Sequence, residues 1–360
     1  MVKKSSTKPT ILQILPSLEQ GGVERGTVQI DNALVEKGWN SIVVSSGGRM
    51  VAELKGHHFE LAAQSKNPLV ILNNAHLLKI IIKENKVDII HARSRAPAYS
   101  AYLAAKWAGI PFVTTFHGTY NFHNSLKRAY NSIMTKGDAV IAVSHFIKNH
   151  ILQNYKIDER KITVVQRGVD LDYFNPAKKP IPMGLPSGKK IVMLPGRITR
   201  WKGQKIFAEA MRGLDALGVI VGDVDNAGYM AELEEILPDN VVIMPGTNDM
   251  PAVLANADIV VSSSTDPEAF GRIAVEAQAM GKPVVATNHG GATETVIEGK
   301  TGFLVEVGNA ESMREGIANL LKICGDKAVQ KACIKNAESL SAEKMYSRTF
   351  AVYESLLAKR

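Results

Sequence analysis

DPEAFGRIAVEAQAMGKPVVAT (266–287) reads as a turn, a short helix and a strand in immediate succession, and that order sets the fold class. Asp266, Pro267 and Gly271 mark the turn that carries Glu268. Ile273, Ala274, Val275, Ala277, Ala279 and Met280 then form an almost wholly apolar helix around Glu276, and PVVAT follows as a strand. A carboxylate on such a helix is costly to bury unless it is hydrogen-bonded or paired, so Glu276 is expected to face a polar ligand. A solvent-facing glutamate on an amphipathic helix is the plainer alternative.

Outward from this stretch, β-branched runs alternate with helical segments almost from end to end. Upstream in the second half lie KIVMLPG (190–196), GVIVG (218–222), NVVIMPG (240–246) and DIVVSSS (258–264), and FLVEV (303–307) lies downstream. The first half repeats the pattern with strands at 11–15, 41–45, 59–63, 87–91, 111–116 and 139–144. Between them lie helix-like stretches at 23–37, 68–85, 97–107, 125–135 and 145–154. Apolar runs without strict alternation mark strands buried on both faces, so both halves read as parallel sheets flanked by helices. NPAKKPIPMGLPSGKK (175–190), rich in proline and glycine, is the expected linker. Ligands bind at the carboxyl ends of such sheets, and the economical arrangement has the two sets of loops facing one cleft.

At 360 residues the chain suits two domains of ordinary size, and 45% hydrophobic with 22% charged residues is the composition of a soluble globular protein. MVKKSSTKPTILQILPS opens with basic residues before a short apolar patch, a poor leader and a better first strand. No apolar run reaches the length of a membrane span. Cys324 and Cys333 form neither a disulfide framework nor a metal-ligand pattern, which suits a reducing cytoplasm. The net charge of +8 is uneven: residues 1–180 hold 24 Lys+Arg against 13 Asp+Glu, or +11, and the remainder holds 19 against 22, or −3. A basic first half suggests an anionic acceptor or membrane surface. Without a helix-turn-helix, a zinc finger or an aromatic-rich basic strand, nucleic acid is the weakest partner.

Gly21 and Gly22 separate the first strand from the helix VERGTVQIDNALVEKG and let backbone N–H groups approach a phosphate at the helix N-terminus. The pair is neither a dinucleotide fingerprint nor a phosphate loop with its lysine. GRITRWKG (196–203) follows a strand, with Arg197 and Lys202 in one turn, either as ordinary surface charges or as two cations placed to neutralise a diphosphate.

GRITRWKG, the 266–287 stretch and HGGATETVIEGKTGFLV together resemble the nucleotide-sugar-binding half of retaining glycosyltransferase family 4. That family has the two-domain GT-B fold, two doubly wound α/β domains facing across a cleft. The resemblance continues through GGVE, TFHGTY and VVQRGVDLDYFNP, so it covers most of the chain. Arg167 departs from it, standing where many relatives carry Asn, which touches no catalytic group. HARSRAP is similar to members acting on bacterial cell-envelope and lipopolysaccharide acceptors.

The linker divides the chain into an expected acceptor domain at 1–178 and a nucleotide-sugar domain at 179–341. A terminal helix at 342–360 carries Tyr346, Phe350, Tyr353 and Leu357 on one stripe that would dock on a neighbour, the first domain being one candidate. The resemblance implies that Arg197 and Lys202 bind the leaving diphosphate and that Glu276 holds the ribose. Glu268 would contact the transferred sugar, and backbone N–H groups near Phe270, Gly271 and Arg272 its hydroxyls or phosphate. Gly21 and Gly22 would approach the donor, and His117 would lie beside the reacting carbon. Arg93 and Arg95, after the strand VDIIH, are expected to meet an anionic acceptor such as a phosphorylated or lipid-linked sugar. Lys127, Arg128 and Lys136 flank a stretch suited to an anionic membrane.

Fixed cations at the phosphate need no metal ion, so neither metal nor cofactor is expected. Asp223-Val224-Asp225 spells a short metal-binding pattern but reads as a loop. The expected protein is a cytoplasmic enzyme peripheral to the membrane. A sugar-nucleotide epimerase and a non-catalytic sugar-nucleotide sensor remain the alternatives.

Overall fold

The strands form where the β-branched runs lie, because residues buried on both faces of a parallel sheet are apolar at consecutive positions. A computed structural model describes residues 8–120, 122–186 and 188–359. The basic lead-in at 1–7 and Ser187 of the expected linker lie outside them. The chain divides into two compact units, Met1–Gln166 with Met345–Arg360, and Arg167–Lys344.

In the first unit the strands are β1 (Thr10–Ile14), β2 (Asn40–Ser45), β3 (His57–Glu60), β4 (Ile89–Ala92), β5 (Phe112–Phe116), β6 (Ala139–Ala142) and β7 (Ile162–Val164). They make one parallel sheet in the order β3-β2-β1-β4-β5-β6-β7. The helices are α1 (Gly22–Glu36), α2 (Pro68–Glu84), α3 (Arg95–Ala108), α4 (Ser125–Asn131) and α5 (His145–Asn154). Leu12 opposite Ile42 and Leu12 opposite Ile90 fix the registers at the centre of the sheet.

The second unit holds β8 (Lys190–Pro195), β9 (Ala216–Val221), β10 (Val241–Met244), β11 (Ile259–Ser262), β12 (Val284–Thr287) and β13 (Gly302–Val305). Their parallel order is β10-β9-β8-β11-β12-β13. Around them lie α6 (Gln204–Met211), α7 (Ala227–Glu234), α8 (Met250–Leu254), α9 (Arg272–Ala279), α10 (Ala292–Thr295), α11 (Ala310–Leu321) and α12 (Lys327–Ser339). The period of two is plain in the packing. Met193, Val260 and Val284 enter one core layer, while Val192, Leu194, Val261 and Val285 enter the other.

The last helix, α13 (Ala342–Leu357), belongs mostly to the first unit. Met345, Phe350, Val352, Tyr353 and Leu356 pack with Ile11, Leu34, Ile89 and Val113. Each such apolar side chain contributes about 1.5–3 kcal/mol on burial. The division between units falls at 166/167, ahead of the expected 178. Val169 and Phe174 are core residues of the second unit, and the Val169 N–H donates to Leu340 O at 2.9 Å. The proline-rich stretch also lies along the second unit, where Met183 and Leu185 pack on the core and Ile181 N donates to Ala252 O at 3.3 Å. β7, too short and too close to a charged turn to stand out in the sequence, completes one edge of the first sheet.

Both sheets reverse their winding once, between β1 and β4 in the first unit and between β8 and β11 in the second. In open α/β sheets ligands bind outside the carboxyl ends at such a switch point.

Candidate active site

At the second unit's switch point, the loops after β8 and β11 are zipped together. Thr265 N donates to Trp201 O at 2.7 Å, and Ser263 Oγ donates to Lys202 O at 2.7 Å. Gly203 makes the approach feasible: its φ is +70°, and a Cβ there would lie 2.1 Å from Ser263 O. Gln204 Nε2 holds the same loop from below by donating to Arg197 O at 2.9 Å.

This closure sets Lys202 against Glu268, with Nζ donating to Oε1 at 2.6 Å. The two side chains are only 19% and 15% exposed. Ser264 Oγ donates to the same carboxylate oxygen at 2.7 Å. Burial by itself would raise the Glu268 pKa, but Lys202, the Ser264 hydroxyl and the nearby His289 outweigh it and hold the carboxyl below its ordinary value. The Glu268 turn is backed by Gly290 and Gly291, whose own Cβ atoms would strike Glu268 O at 2.6 Å and Phe270 Cα at 2.3 Å. Gly291 N donates to Glu268 O at 2.7 Å, and His289 Nε2 lies 3.0 Å from Ser264 O.

Glu276 is buried on α9, as the apolar helix demanded, yet it already has a partner. Arg272, one turn earlier, donates to Glu276 Oε1 at 2.5 Å. The ion pair within the helix lowers the cost of burying the carboxylate without a ligand. Phe270 is buried, and Gly271 caps α9 in the left-handed region at φ +82° with no side chain bonded to the first turn. Arg197 stands exposed after β8, 3.7 Å from Asp225 Oδ2. The Asp223-Val224-Asp225 segment is a bridge alongside Ile198, with Ile198 N donating to Asp223 O at 2.9 Å. Among the described residues no group of three or more His, Cys, Asp or Glu gathers in a way that holds a metal ion.

In the first unit, Gly21 caps α1 at φ +154° with no side-chain cap, and Gly22 begins the helix, so this backbone follows β1 as the sequence suggested. Arg93 follows β4 on the other side of the switch point but is only 4% exposed. Its Nη1 donates to Gln13 Oε1 at 2.9 Å, and Gln13 Nε2 donates in turn to Thr27 O at 3.3 Å. Among the described residues no carboxylate pairs with Arg93, and burial pushes its pKa down to about 10, which leaves it cationic at neutral pH. His91 beside it is fully buried between Tyr353 Oη and Thr115 Oγ1, each at 2.7 Å from a ring nitrogen. Burial, then Arg93, hold its pKa well below 6.5.

Arg95 donates to Asn131 Oδ1 at 3.0 Å and lies over the Tyr120 ring at 4.4 Å. Tyr120 adopts φ +49°, uncommon for a bulky residue, and its hydroxyl accepts from His117 N at 3.3 Å. His117 thus sits at the end of β5 on the same carboxyl edge as Arg93 and Arg95.

Sequence reasoning passed over Gln13, Tyr120, Ser264 and His289. Ser264 and His289 lie inside DIVVSSS and HGGATETVIEGKTGFLV, but nothing in one sequence marks a serine that will face a glutamate four residues on. Gln13 interrupts the apolar run ILQIL of the first strand. A polar residue inside a strand buried on both faces was the signal that could have found it.

The chain is similar to a glycosyltransferase from Rickettsia africae ESF-5, with a TM-score of 0.89, 42% identity, and coverage of 97% of this chain and 99% of that one. It is 30% identical over 301 residues to a D-inositol 3-phosphate glycosyltransferase from Segniliparus rotundus, spanning 75% of this chain and 66% of the relative's length. The fold also matches Anabaena Alr3699/HepE in complex with UDP-glucose, with a TM-score of 0.80, 22% identity and coverage of 96% of this chain and 99% of that one. Residues 20–173 match the model of Glycosyltransferase Family 4, and residues 177–340 that of Glycosyl transferases group 1. With these matches and its two parallel-sheet units, the chain belongs to the family 4 glycosyltransferases of GT-B fold.

Proposed function

We propose that this protein transfers a sugar, with retention of configuration, from a nucleotide-diphosphate sugar to an anionic cell-envelope or lipid-linked acceptor. The Lys202–Glu268 pair beneath the zipped β8 and β11 loops is the observation that carries the reading. As the sugar–diphosphate bond breaks, positive charge develops on the ring and negative charge on the departing phosphate. Lys202, with Arg197 after the same strand, stabilises the phosphate charge without a metal ion. Glu268, kept ionised by Lys202 and Ser264, receives hydroxyls of the transferred sugar. Glu276, oriented by Arg272, receives the ribose, and the uncapped first turn of α9 offers N–H groups to the phosphate or sugar. The acceptor's proton leaves with the diphosphate, so no covalent enzyme nucleophile is needed.

Acceptor recognition belongs to the first unit. Arg93 is a buried cation with no carboxylate partner among the described residues, and Arg95 and His117 share its edge of the sheet. The relative from Segniliparus rotundus carries the name of a phosphorylated polyol, which supports an anionic acceptor. Gly21 and Gly22, at the start of α1, are suited to a close approach by donor or acceptor. We place the protein in the cytoplasm at the inner face of the membrane.

Thermal-shift measurements with UDP-, GDP- and ADP-sugars test the donor. A true donor at a hundred times its Kd adds about 2.7 kcal/mol of stability, and no stabilisation by any of them overturns the reading. Product analysis with donor alone separates an epimerase, and activity after treatment with a chelator tests metal independence.

A further inference from the structure

From the outward face of α2 we infer a docking surface for an anionic lipid bilayer, distinct from the donor and acceptor residues. Asn74, Ala75, Leu78, Ile81 and Ile82 are the buried residues of this helix. With about 3.6 residues per turn, Leu69, Leu72, His76 and Ile80 fall on the opposite side. Leu69 is 77% exposed, and Leu72, Leu77 and Ile80 are exposed as well. The patch continues onto α3, where exposed Trp107 packs against His76 with ring centroids 4.8 Å apart. Five of the eleven large exposed hydrophobics among the described residues lie here, and the others are scattered singly. Scattered apolar residues are ordinary, whereas a contiguous patch marks an interaction surface.

The charge around the patch selects its occupant. Residues 66–86 hold Lys66, Lys79, Lys83 and Lys86 against the single Glu84, and Lys106 adjoins Trp107. Lys79 and Lys83 lie among the exposed apolar positions, where their stems cover apolar surface while the ammonium groups reach head groups. An isologous contact with a second copy would bring these lysines against their own equivalents, a repulsion that an anionic bilayer converts to attraction. A tryptophan beside them suits the interfacial depth. The stretch around Lys127 and Arg128, to which the sequence pointed, offers less: α4 spans seven residues with Leu126 as its exposed apolar residue, and Arg128 is turned onto Asn154 O at 2.8 Å.

Co-sedimentation of the full chain with vesicles of phosphatidylcholine, alone or mixed with phosphatidylglycerol, tests this without donor or acceptor, so its outcome is separable from that of the glycosyltransferase reading. The wild type is expected to pellet with the mixed vesicles and to be released by salt. Leu69→Gln with Ile80→Gln should weaken partitioning about tenfold or more. Lys79→Glu with Lys83→Glu should remove the dependence on phosphatidylglycerol. The melting temperature of each variant without ligand stays at the wild-type value, which shows that they fold. Wild type that ignores the mixed vesicles, variants that bind them equally well, or a wild-type dimer that α2 substitutions convert to monomer would each overturn the proposal.

Discussion

The carboxyl edges of the two sheets share a topology but handle charge in opposite ways. In the second unit every cation of the site has a carboxylate: Lys202 has Glu268, Arg272 has Glu276 and Arg197 has Asp225. In the first unit Arg93 is buried deeper than any of these cations, and its side-chain partner among the described residues is the Gln13 amide. A paired site is stable while empty and must exchange partners when a diphosphate arrives. A buried cation with no counter-charge among the described residues costs stability until an anion comes, which is the ground for proposing Arg93 as a binding residue.

The largest effect expected is at Lys202. Lys202→Met should lower kcat/KM by about a hundredfold to a thousandfold, in keeping with loss of a preorganised group at developing charge. Steady-state kinetics beside a melting curve check this, and near-normal turnover would break the contrast between the units. Next is Arg93→Met, which should raise the KM for a phosphorylated or acidic acceptor about tenfold or more while stability holds or rises, because the variant loses a desolvated charge. A fall in melting temperature with unchanged KM would make Arg93 a structural residue.

His91 sharpens the comparison through pH. The folded protein binds a proton at this imidazole less readily than the unfolded chain does. Its contribution to stability is therefore complete above the unfolded value of about 6.5 and is lost as pH falls below it, by up to about 1.4 kcal/mol per unit. The groups facing the ring are Tyr353, Thr115 and Arg93, so His91→Gln should flatten the acid limb of melting temperature against pH. The smallest effect is Ser264→Ala, which removes one hydrogen bond to Glu268 at about 1 kcal/mol and should lower donor affinity about fivefold. Titration of donor binding measures it.

Much of this was legible without coordinates. Eleven of the thirteen strands sit where apolar, mostly β-branched runs predicted them, because burial on both faces writes itself locally into consecutive residues, whereas half-exposed β3 lies at His57–Glu60 and shares only Phe59 and Glu60 with the expected 59–63. The loops bearing Arg197, Lys202, Glu268, Arg93 and His117 follow those strands for the same reason. The partners were harder. Glu276 was expected to need a ligand to justify its burial, yet Arg272 supplies the charge one helical turn away. The proline-rich stretch expected as the linker also packs along the second unit, through the Ile181 N–H and the Met183 side chain.

Composition and periodicity alone determined two parallel α/β units, their strand ends and the residue types gathered there, because each depends on the neighbours in sequence. Tertiary structure alone decided that Gln13 meets Arg93, that Tyr353 meets His91 and that Lys202 meets Glu268, contacts between residues 80, 262 and 66 positions apart. Such pairs are fixed by sheet order and by the close approach that Gly203 permits, and neither leaves a local mark in the chain.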